Sequence, residues 1–467
     1  MSERPRTEPA RGMRDFLPED VRRRAYVIGV ITRVYERYGF EPLETPAVEN
    51  IETLLGKYGD EGNQLIYKIL KRGEGEATGQ ADLALRYDLT VPLARVVAQY
   101  QSKLPRLFKR YQIQPVWRAD RPARGRFREF YQCDVDALGS TSPVVEAELC
   151  AAVSDALTEL GFTQFSIRLN HRELLTAVLN VVGIPAEKHA DALVALDKLD
   201  KIGWDGVGQE FGQREILIPS LEGLKSVIDG PRQTQSVSSS PALEGLKSAV
   251  DRPSATLDDV EAVFKRTGAV PPAIENLRDI LRLTGPTLAG PRMFFDPKLA
   301  RGLSYYTGAI MEINVPDLAG SLGGGGRYDN LVGMFLGQDI PACGFSLGLE
   351  RILVVMAERG MFPATLAASP ADVMLATFDA AAMGEALRVA TALRAGGLRV
   401  LVYPDADKIG KQIKYADGRG IPFVALLGDD ELRDGTITLK HLKMQTQTTV
   451  AQSEAAADIL ETLKHRG

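Results

Sequence analysis

Apolar residues in "DVRRRAYVIGVITRVYERYGF" (20–40) recur at helical spacing and stop near Gly39, which predicts an opening helix. The following "EPLETPAVE" (41–49) reads as a short extended piece, and Pro42 and Pro46 suit a sheet edge or an interface better than a central strand. "KRGEGEATGQAD" (71–82) is rich in glycine and charge and reads as a loop. Strand-like alternation then appears three times. In "LALRYDLTV" (83–91), Arg86, Asp88 and Thr90 share one face and Leu85, Tyr87 and Leu89 the other. In "KRYQIQPVWRAD" (109–120), Gln112, Gln114 and Arg118 oppose Tyr111, Ile113 and Trp117. In "RFREFYQCDVDALG" (126–139), Arg128, Phe130, Gln132, Asp134 and Asp136 oppose Cys133, Val135 and Ala137. The last two segments predict a long antiparallel hairpin with one polar face. A solvated face has the same period, but it usually carries Lys, Glu and Thr rather than Gln, Asp and Arg mixed with Phe.

Residues 171–290 are mostly helical in pattern and contain the polar linker-like "GPRQTQSVSSS". "LEGLKSVID" (221–229) and "LEGLKSAVD" (243–251) nearly repeat, but two copies are too few for a solenoid. This region is expected to be a helical insertion between two parts of one domain, 1–170 and 291–365. In the second part, "MFFDPKLARGLSYYTGAIMEI" and "SLGGGGRYDNLVGMF" return to strands and glycine turns, and "ACGFSLGLERILVVMAERG" runs from a strand into a helix near Leu349. Over 371–467, apolar strands "DVMLATF", "RVLVY" and "FVALLG" alternate with helical patterns, the mark of an α/β domain with parallel strands, and "AAADILETLKH" closes the chain as a helix.

Composition narrows the class. A chain of 467 residues implies two to four domains, and 45% hydrophobic with 25% charged residues is usual for a soluble globular protein. No apolar run approaches a membrane span. The N-terminal "MSERPRTEPARGMRDF" mixes Glu3 and Glu8 with arginines and has no apolar core, so it reads as neither a secretory nor a transit peptide, and a cytoplasmic location is expected. Cys133, Cys150 and Cys343 show no paired spacing, and His171, His189, His441 and His465 fall in no ligand pattern. Neither a protein-ligated metal nor a histidine acid/base centre is expected. The net charge of −5 argues against indiscriminate nucleic-acid binding. A local basic run from Arg106 to Arg128, with Asp120 its only acid, is interleaved with Ile113, Val116, Trp117 and Phe127.

Candidate chemistry gathers on the polar faces. There is no G-x-x-x-x-G-K-[ST] and no strand-linked G-x-G-x-x-G, and "GGGGRYD" (323–329) lacks the lysine and the following helix. Arg351 enters an expected helix just after Gly348, where its guanidinium adds to the positive end of the helix dipole and suits an anion; a surface arginine would look the same. Arg118 offers a bidentate grip on a second phosphate, and Phe130 on the same face suits stacking on a base. Two arginines, an aromatic platform and no P-loop suit a nucleotide held on an antiparallel sheet. Asp88, Thr90, Gln132 and Asp136 suit a small polar ligand, Asp88 facing an ammonium and Asp136 with a tyrosine hydroxyl facing a ring N–H. "ARGLSYYTGAIMEI" (300–313) sets Arg301, Tyr305 and Tyr306 between glycines that would weaken an ordinary strand.

Together these segments resemble a class II aminoacyl-tRNA synthetase, specifically the histidyl-tRNA synthetase family. "YGFEPLETPAVE" (38–49), with Pro46, resembles motif 1; "VWRADRPARGRFREFYQCDVD" (116–136) resembles motif 2; "GFSLGLERIL" (344–353) resembles motif 3. "ARGLSYYTGAIMEI" and "LRYDLTVPLAR" (85–95) resemble signatures of the histidyl enzymes, and the likeness extends to a C-terminal domain similar to the anticodon-binding domain. The resemblance implies an α+β catalytic domain with an antiparallel sheet flanked by helices, a helical insertion, and a C-terminal α/β domain. It also implies a homodimer and a two-step reaction. Histidine and ATP·Mg²⁺ give histidyl-adenylate and pyrophosphate, and the histidyl group then passes to tRNA(His).

Roles follow by resemblance. Asp88, Leu89 and Thr90 match residues at the substrate α-amino end, and Gln132, Asp136, Tyr305 and Tyr306 match the histidine pocket. Arg118 matches the arginine on the α-phosphate, Phe130 the adenine platform, Arg351 the arginine on the γ-phosphate, and Arg126 joins the nucleotide set. Arg301 matches an arginine, special to this family, that supplies charge near the α-phosphate; Arg301, Arg118 and Arg351 are the catalytic set. An Asp136–Tyr306 pair is expected to read the imidazole. Three departures stand out: Ser304 where the signature has Asp, Asp120 where many class II motifs have Glu, and Ala123 with Arg124 in the motif 2 loop. Two rival readings are a histidine-sensing, synthetase-like regulatory subunit of ATP phosphoribosyltransferase and a glycyl or prolyl synthetase. Arg118, Arg301 and Arg351 count against the first, and the 301–306 segment against the second.

Overall fold

The opening helix spans Pro18–Arg37, starting on a proline that needs no N–H there, with Glu19 and Asp20 in its first turn and Arg37 in its last. Its buried stripe of Val27, Val30, Ile31, Val34 and Tyr35 faces the protein. The computed structural model describes residues 7–229, 255–300, 305–316, 318–363, 366 and 369–464. Arg301, Ser304, the linker-like segment and the second copy of the near-repeat lie outside the described residues; the first copy lies in the helix Ile218–Asp229.

Strands in chain order are β1 (Glu41–Pro42), β2 (Val48–Asn50), β3 (Lys68–Leu70), β4 (Ala81–Leu85), β5 (Phe108–Trp117) and β6 (Glu129–Leu138). Then come β7 (Ser166–His171), β8 (Met293–Phe295), β9 (Ala309–Asn314), β10 (Gly323–Arg327) and β11 (Ala342–Gly348). Eight of them form one sheet in the order β1-β5-β6-β11-β10-β9-β7-β8, and β2-β4-β3 form a small second sheet. The large sheet is antiparallel except at its two edges, where β1 joins β5 and β8 joins β7 in parallel. Pro42 therefore sits in an edge strand, as its missing N–H requires. The long hairpin is β5 and β6, in unbroken antiparallel register from Phe108↔Leu138 to Trp117↔Glu129.

Three helices, Pro18–Arg37, Val144–Glu159 and Leu349–Glu358, pack on one face of this sheet. Cys133, Val135 and Ala137 of β6 are buried beneath them. The polar alternate residues of β6 face the other side and are buried too: Asp134 and Asp136 are each 2% exposed. A solvated polar face is thereby excluded. Between β7 and β8 lie mainly helices, including His189–Leu196, Leu199–Gln213, Ile218–Asp229 and Leu257–Thr267. The helix Pro272–Thr284 packs on Val144–Glu159 and on β7 and β8.

Three local readings of the sequence are corrected. Residues 83–91 do not continue as one strand: β4 ends at Leu85 and a helix, Thr90–Tyr100, begins. Asp88 Oδ1 accepts the Val91 N–H at 3.1 Å, as a capping carboxylate does, and Pro92 falls in the first helical turn where it is tolerated. The glycines of 323–326 form a strand, not a turn, because β9 and β11 hold them on both sides. Within 71–82, a short helix Glu74–Ala77 and the start of β4 replace a plain loop.

Contacts divide the chain into Met1–Met361 and Phe362–Gly467. The second unit has β12 (Val373–Thr377), β13 (Val400–Val402), β14 (Phe423–Leu427), β15 (Thr436–His441) and β16 (Thr446–Ala451), ordered β13-β12-β14-β15-β16. The first three are parallel, as the βαβα pattern predicts. The antiparallel strands β15 and β16 are additional: β15 joins β14 and buries Ile437 and Leu439, and β16 pairs along it as a mostly exposed edge strand.

His171 ends β7 and caps the helix Arg172–Val181 by accepting the Glu173 N–H on Nδ1 at 3.2 Å. Burial, helped by Arg327, pushes its pKa down to about 4. The unfolded imidazole titrates near 6.5, so the unfolded chain gains a proton that the folded one refuses. Stability from this group is complete above about pH 6.5 and is lost as pH falls toward 4, by at most about 3 kcal/mol. His171→Asn keeps a capping oxygen without titrating. Urea unfolding at pH 7.5, 6 and 5 should show the wild-type midpoint falling relative to the variant; a constant gap would refute the buried neutral imidazole.

Candidate active site

The sheet register lays polar side chains in rows across the face opposite the helices. One row runs Gln112–Asp134–Ser346–Gly324–Glu312–Arg168, and the next Arg110–Asp136–Gly344–Gly326. Above them lies a cleft of about 370 Å³ whose lining includes Asp88, Thr90, Arg118, Arg126, Phe130, Gln132, Asp134, Asp136, Tyr305, Tyr306 and Arg351. That volume suits a small-molecule ligand. Of the described residues chosen from sequence, Leu89 alone does not line it: Leu89 is fully buried at the helix start, and its carbonyl lies 3.4 Å from Arg110 Nη2.

The glycines make the cleft. A Cβ on Gly344 would lie 1.9 Å from Asp136 Oδ1, and one on Gly326 2.9 Å from the Tyr306 ring. Tyr305 and Tyr306 both reach the cleft because strand alternation does not apply to them: β9 begins only at Ala309. Their rings meet edge to face at 5.1 Å.

One end of the cleft is acidic. Asp88 accepts hydrogen bonds from the hydroxyls of Tyr58 and Tyr305, each at 3.0 Å. Thr90 in turn hydrogen-bonds Tyr305. Burial raises the Asp88 pKa, opposed by the Val91 N–H and Arg118. It also keeps the Tyr58 and Tyr305 hydroxyls protonated as donors. Asp136 takes the Tyr328 hydroxyl and lies 2.9 Å from Arg110 Nη2, in an ion pair with Arg110 fully buried. That approach is close but poorly directed, and Asp136 Oδ2 has no hydrogen-bond donor among the described residues. Tyr328, not Tyr306, is therefore the hydroxyl on Asp136. It follows the glycine strand directly and points back over β11, whereas Tyr306 packs on Gly326. Asp134 accepts from Gln132 Nε2 at 3.3 Å and from Ser346; burial and its neighbour Asp136 push its pKa up to about 7 against the pull of Arg110. Gln132 donates to Ser346 at 2.8 Å, while its Oε1 is buried with no partner among the described residues. The pocket thus presents carboxylates and an amide oxygen that call for donors.

The other end is basic and aromatic. Arg118 donates through Nε to the Tyr87 carbonyl at 3.1 Å, and its guanidinium lies 4.3 Å from the Tyr87 ring and 5.1 Å from the Phe130 ring. Arg351, in the first turn of the helix Leu349–Glu358, donates to the Ser321 carbonyl. Arg126 pairs with Asp120 at 3.2 Å. Asp136 lies six positions along β6 from Phe130, about 20 Å of extended strand. A molecule with a nucleotide at one end and a cationic, donor-rich group at the other fits that span.

Tyr58, Arg110, Asp134, Tyr328, Ser346 and Glu350 were not chosen from sequence as site residues. Tyr328 lies in "GGGGRYD", a stretch weighed only as a phosphate loop, and Arg110 could be matched to Asp136 only with the hairpin register in hand.

Comparisons with known proteins point to one family. The family model for histidyl-tRNA synthetase matches residues 12–352, and the model for an anticodon-binding domain matches 372–462. The histidine–tRNA ligase of Christiangramia forsetii is 40% identical over 94% of this chain and 96% of its own. That of Gloeobacter violaceus is 39% identical over 95% and 96%. The crystal structure of histidyl-tRNA synthetase from Nostoc sp. PCC 7120 matches with a TM-score of 0.75 and 29% identity, covering 98% of this chain and all of that one. A Bacillus halodurans structure described as an ATP phosphoribosyltransferase regulatory subunit/histidyl-tRNA synthetase shares the fold at 20% identity. With a family model spanning most of its length and relatives near 40% identity over nearly all of it, this chain belongs to the histidyl-tRNA synthetase family.

Proposed function

We propose that the chain is a histidine–tRNA ligase that activates L-histidine with ATP and passes it to tRNA(His), using the two ends of this cleft as its two substrate sites. The observation that carries the reading is the polarity of β6, with buried acceptor atoms, Gln132 Oε1 and Asp136 Oδ2, that take no hydrogen bond from the described residues at one end and the Arg118–Phe130 pair at the other. Asp88 would receive the histidine ammonium, since it is a buried carboxylate already held by two tyrosine hydroxyls. Asp134, Asp136 and Gln132 would receive imidazole donors. Another amino acid would leave these acceptors unpaired, a penalty that discriminates more strongly than a missing methylene. Phe130 would stack on adenine, and Arg118 and Arg351 would grip the α- and γ-phosphates. Arg301 would supply charge at the α-phosphate as pyrophosphate leaves.

ATP is inferred to arrive as its Mg²⁺ complex; among the described residues no cluster of three or more His, Cys, Asp or Glu side chains forms a metal site. A homodimer is inferred from the motif 1 resemblance and from the exposed Val48, Leu70 and Leu83 of the small sheet beside it. A cytoplasmic location is inferred with it; no described helix is long and apolar enough to cross a membrane. In the second unit, the helix Ile409–Gly418 buries Gln412 and Ala416 and leaves Lys411 and Lys414 exposed, with Lys408 and Arg419 at its ends, a basic face suited to the backbone of an anticodon stem-loop.

ATP–pyrophosphate exchange with each amino acid in turn, with Mg²⁺ and without tRNA, tests the reading. Exchange with histidine alone is expected. Saturable histidine binding without exchange would favour a sensor instead. Arg301→Ala should keep histidine binding within about twofold and lower exchange by about 10²–10³-fold; an unchanged exchange rate would remove Arg301 from the mechanism. Reversing charge at Lys411 and Lys414 should leave exchange intact and raise KM for tRNA by about tenfold or more at moderate salt. Equal losses in both assays would mean that these lysines support the fold rather than the tRNA.

A further inference from the structure

The segment "ARGMRDF" (10–16), which precedes the opening helix, plays no part in the roles assigned above. It nevertheless runs against the base of the motif 2 loop. The Ala10 carbonyl accepts the Met13 N–H at 2.9 Å, closing a turn, and the Gly12 carbonyl accepts the Arg128 N–H at 2.8 Å. Gly12 has φ +84°, and a Cβ there would lie 2.8 Å from Arg128 Cγ and 3.0 Å from Pro122 Cγ, so only glycine permits this approach.

From that anchor the segment starts a stack in which aromatic rings and guanidinium groups alternate. The Arg14 guanidinium lies 3.3 Å from the Phe127 ring centroid and 5.0 Å from that of Phe16. The Arg24 guanidinium lies 4.1 Å from Phe16 and 4.6 Å from Tyr131. Arg24 also donates to Glu350 at 2.8 Å, and the other Glu350 oxygen accepts the Tyr131 N–H at 2.9 Å. Phe127 and Glu350 line the nucleotide end of the cleft, and Glu350 directly precedes Arg351. The order Phe127–Arg14–Phe16–Arg24–Tyr131 therefore ties the loop, the start of β6 and the head of the Arg351 helix to the N-terminal segment.

We propose that this N-terminal segment is a clamp for the nucleotide site, with Gly12 and Arg14 as positioning residues that hold the loop 119–128 and its Phe127 in place for ATP. The inference rests on the ligase reading for the identity of the nucleotide, but the clamp itself can be tested without it. The loop carries trypsin sites at Arg124, Arg126 and Arg128, whereas the Arg121–Pro122 bond resists trypsin. In the full chain, Arg14→Gln should speed tryptic cleavage after Arg124, Arg126 and Arg128 severalfold, mapped by mass spectrometry, and Arg14→Lys should recover part of the protection. In histidine-dependent exchange, Arg14→Gln should raise KM for ATP by about three- to tenfold and leave KM for histidine within about twofold. Gly12→Ala, which displaces the segment sterically, should have the same selectivity. Unchanged cleavage and unchanged KM for ATP would overturn the clamp, as would equal rises in both KM values. A wild-type chain that performs no exchange would sink the ligase reading, while the cleavage rates would still decide the clamp.

Discussion

Buried carboxyl groups on and beside the central strands of the sheet govern this protein. Asp88, Asp134 and Asp136 are each at most 2% exposed. Removing an ionised carboxylate from water costs several kcal/mol unless hydrogen bonds or a counter-charge replace the solvent. Tyrosine hydroxyls on Asp88 and Asp136, and one fully buried arginine, Arg110, supply part of that replacement. The remainder appears as carboxyl pKa values raised by burial and, among the described residues, as Gln132 Oε1 and Asp136 Oδ2 accepting no hydrogen bond. This balance of buried acceptors suits a ligand that brings an ammonium and ring N–H donors.

The architecture follows from that constraint. Holding acids at fixed depth requires a rigid support, and the long β5–β6 register covered by helices on its far side provides one. Room for a ligand requires that neighbouring strands lack side chains, which the glycines of β10 and Gly344 of β11 supply. These glycines sit mid-sheet, where they weaken a strand, and pairing on both sides offsets that loss. Farther along β10, Arg327 is fixed bidentately by the buried Glu146 at 2.6 and 2.9 Å, so the turn that carries Tyr328 is anchored to the helix Val144–Glu159. The other end is built differently: Arg118 lies against the Tyr87 and Phe130 rings and donates to the Tyr87 carbonyl, Arg351 donates to the Ser321 carbonyl, and Arg126 pairs with Asp120.

Much of this was legible in the sequence because long periods average out local accidents. The opening helix, the ten-residue strands of the hairpin and the parallel strands of the second unit all follow from periodicity. The shared, cleft-lining face of Phe130, Gln132, Asp134 and Asp136 on β6 follows too, since one phase fixes them all. What was not legible depends on single contacts. Residues 83–91 keep a strand's alternation, yet β4 stops at Leu85 and a helix starts at Thr90, where Asp88 accepts the Val91 N–H; the Asp-Leu-Thr-Val-Pro order carried that signal. Tyr328 and Arg110 become site residues only through pairings between strands distant in sequence, which no local pattern encodes. The two adjacent tyrosines share the cleft because they precede β9, a boundary that the apolar run after Gly308 does not mark.

The most direct test of this account is the protonation state of the buried acids with and without ligand, read by infrared difference spectroscopy of the full chain near neutral pH. The account predicts a protonated carboxyl stretch in the free protein, lost on adding L-histidine and diminished in Asp134→Asn. A free protein whose carboxyl groups are all ionised, with a spectrum in this region that histidine leaves unchanged, would contradict it.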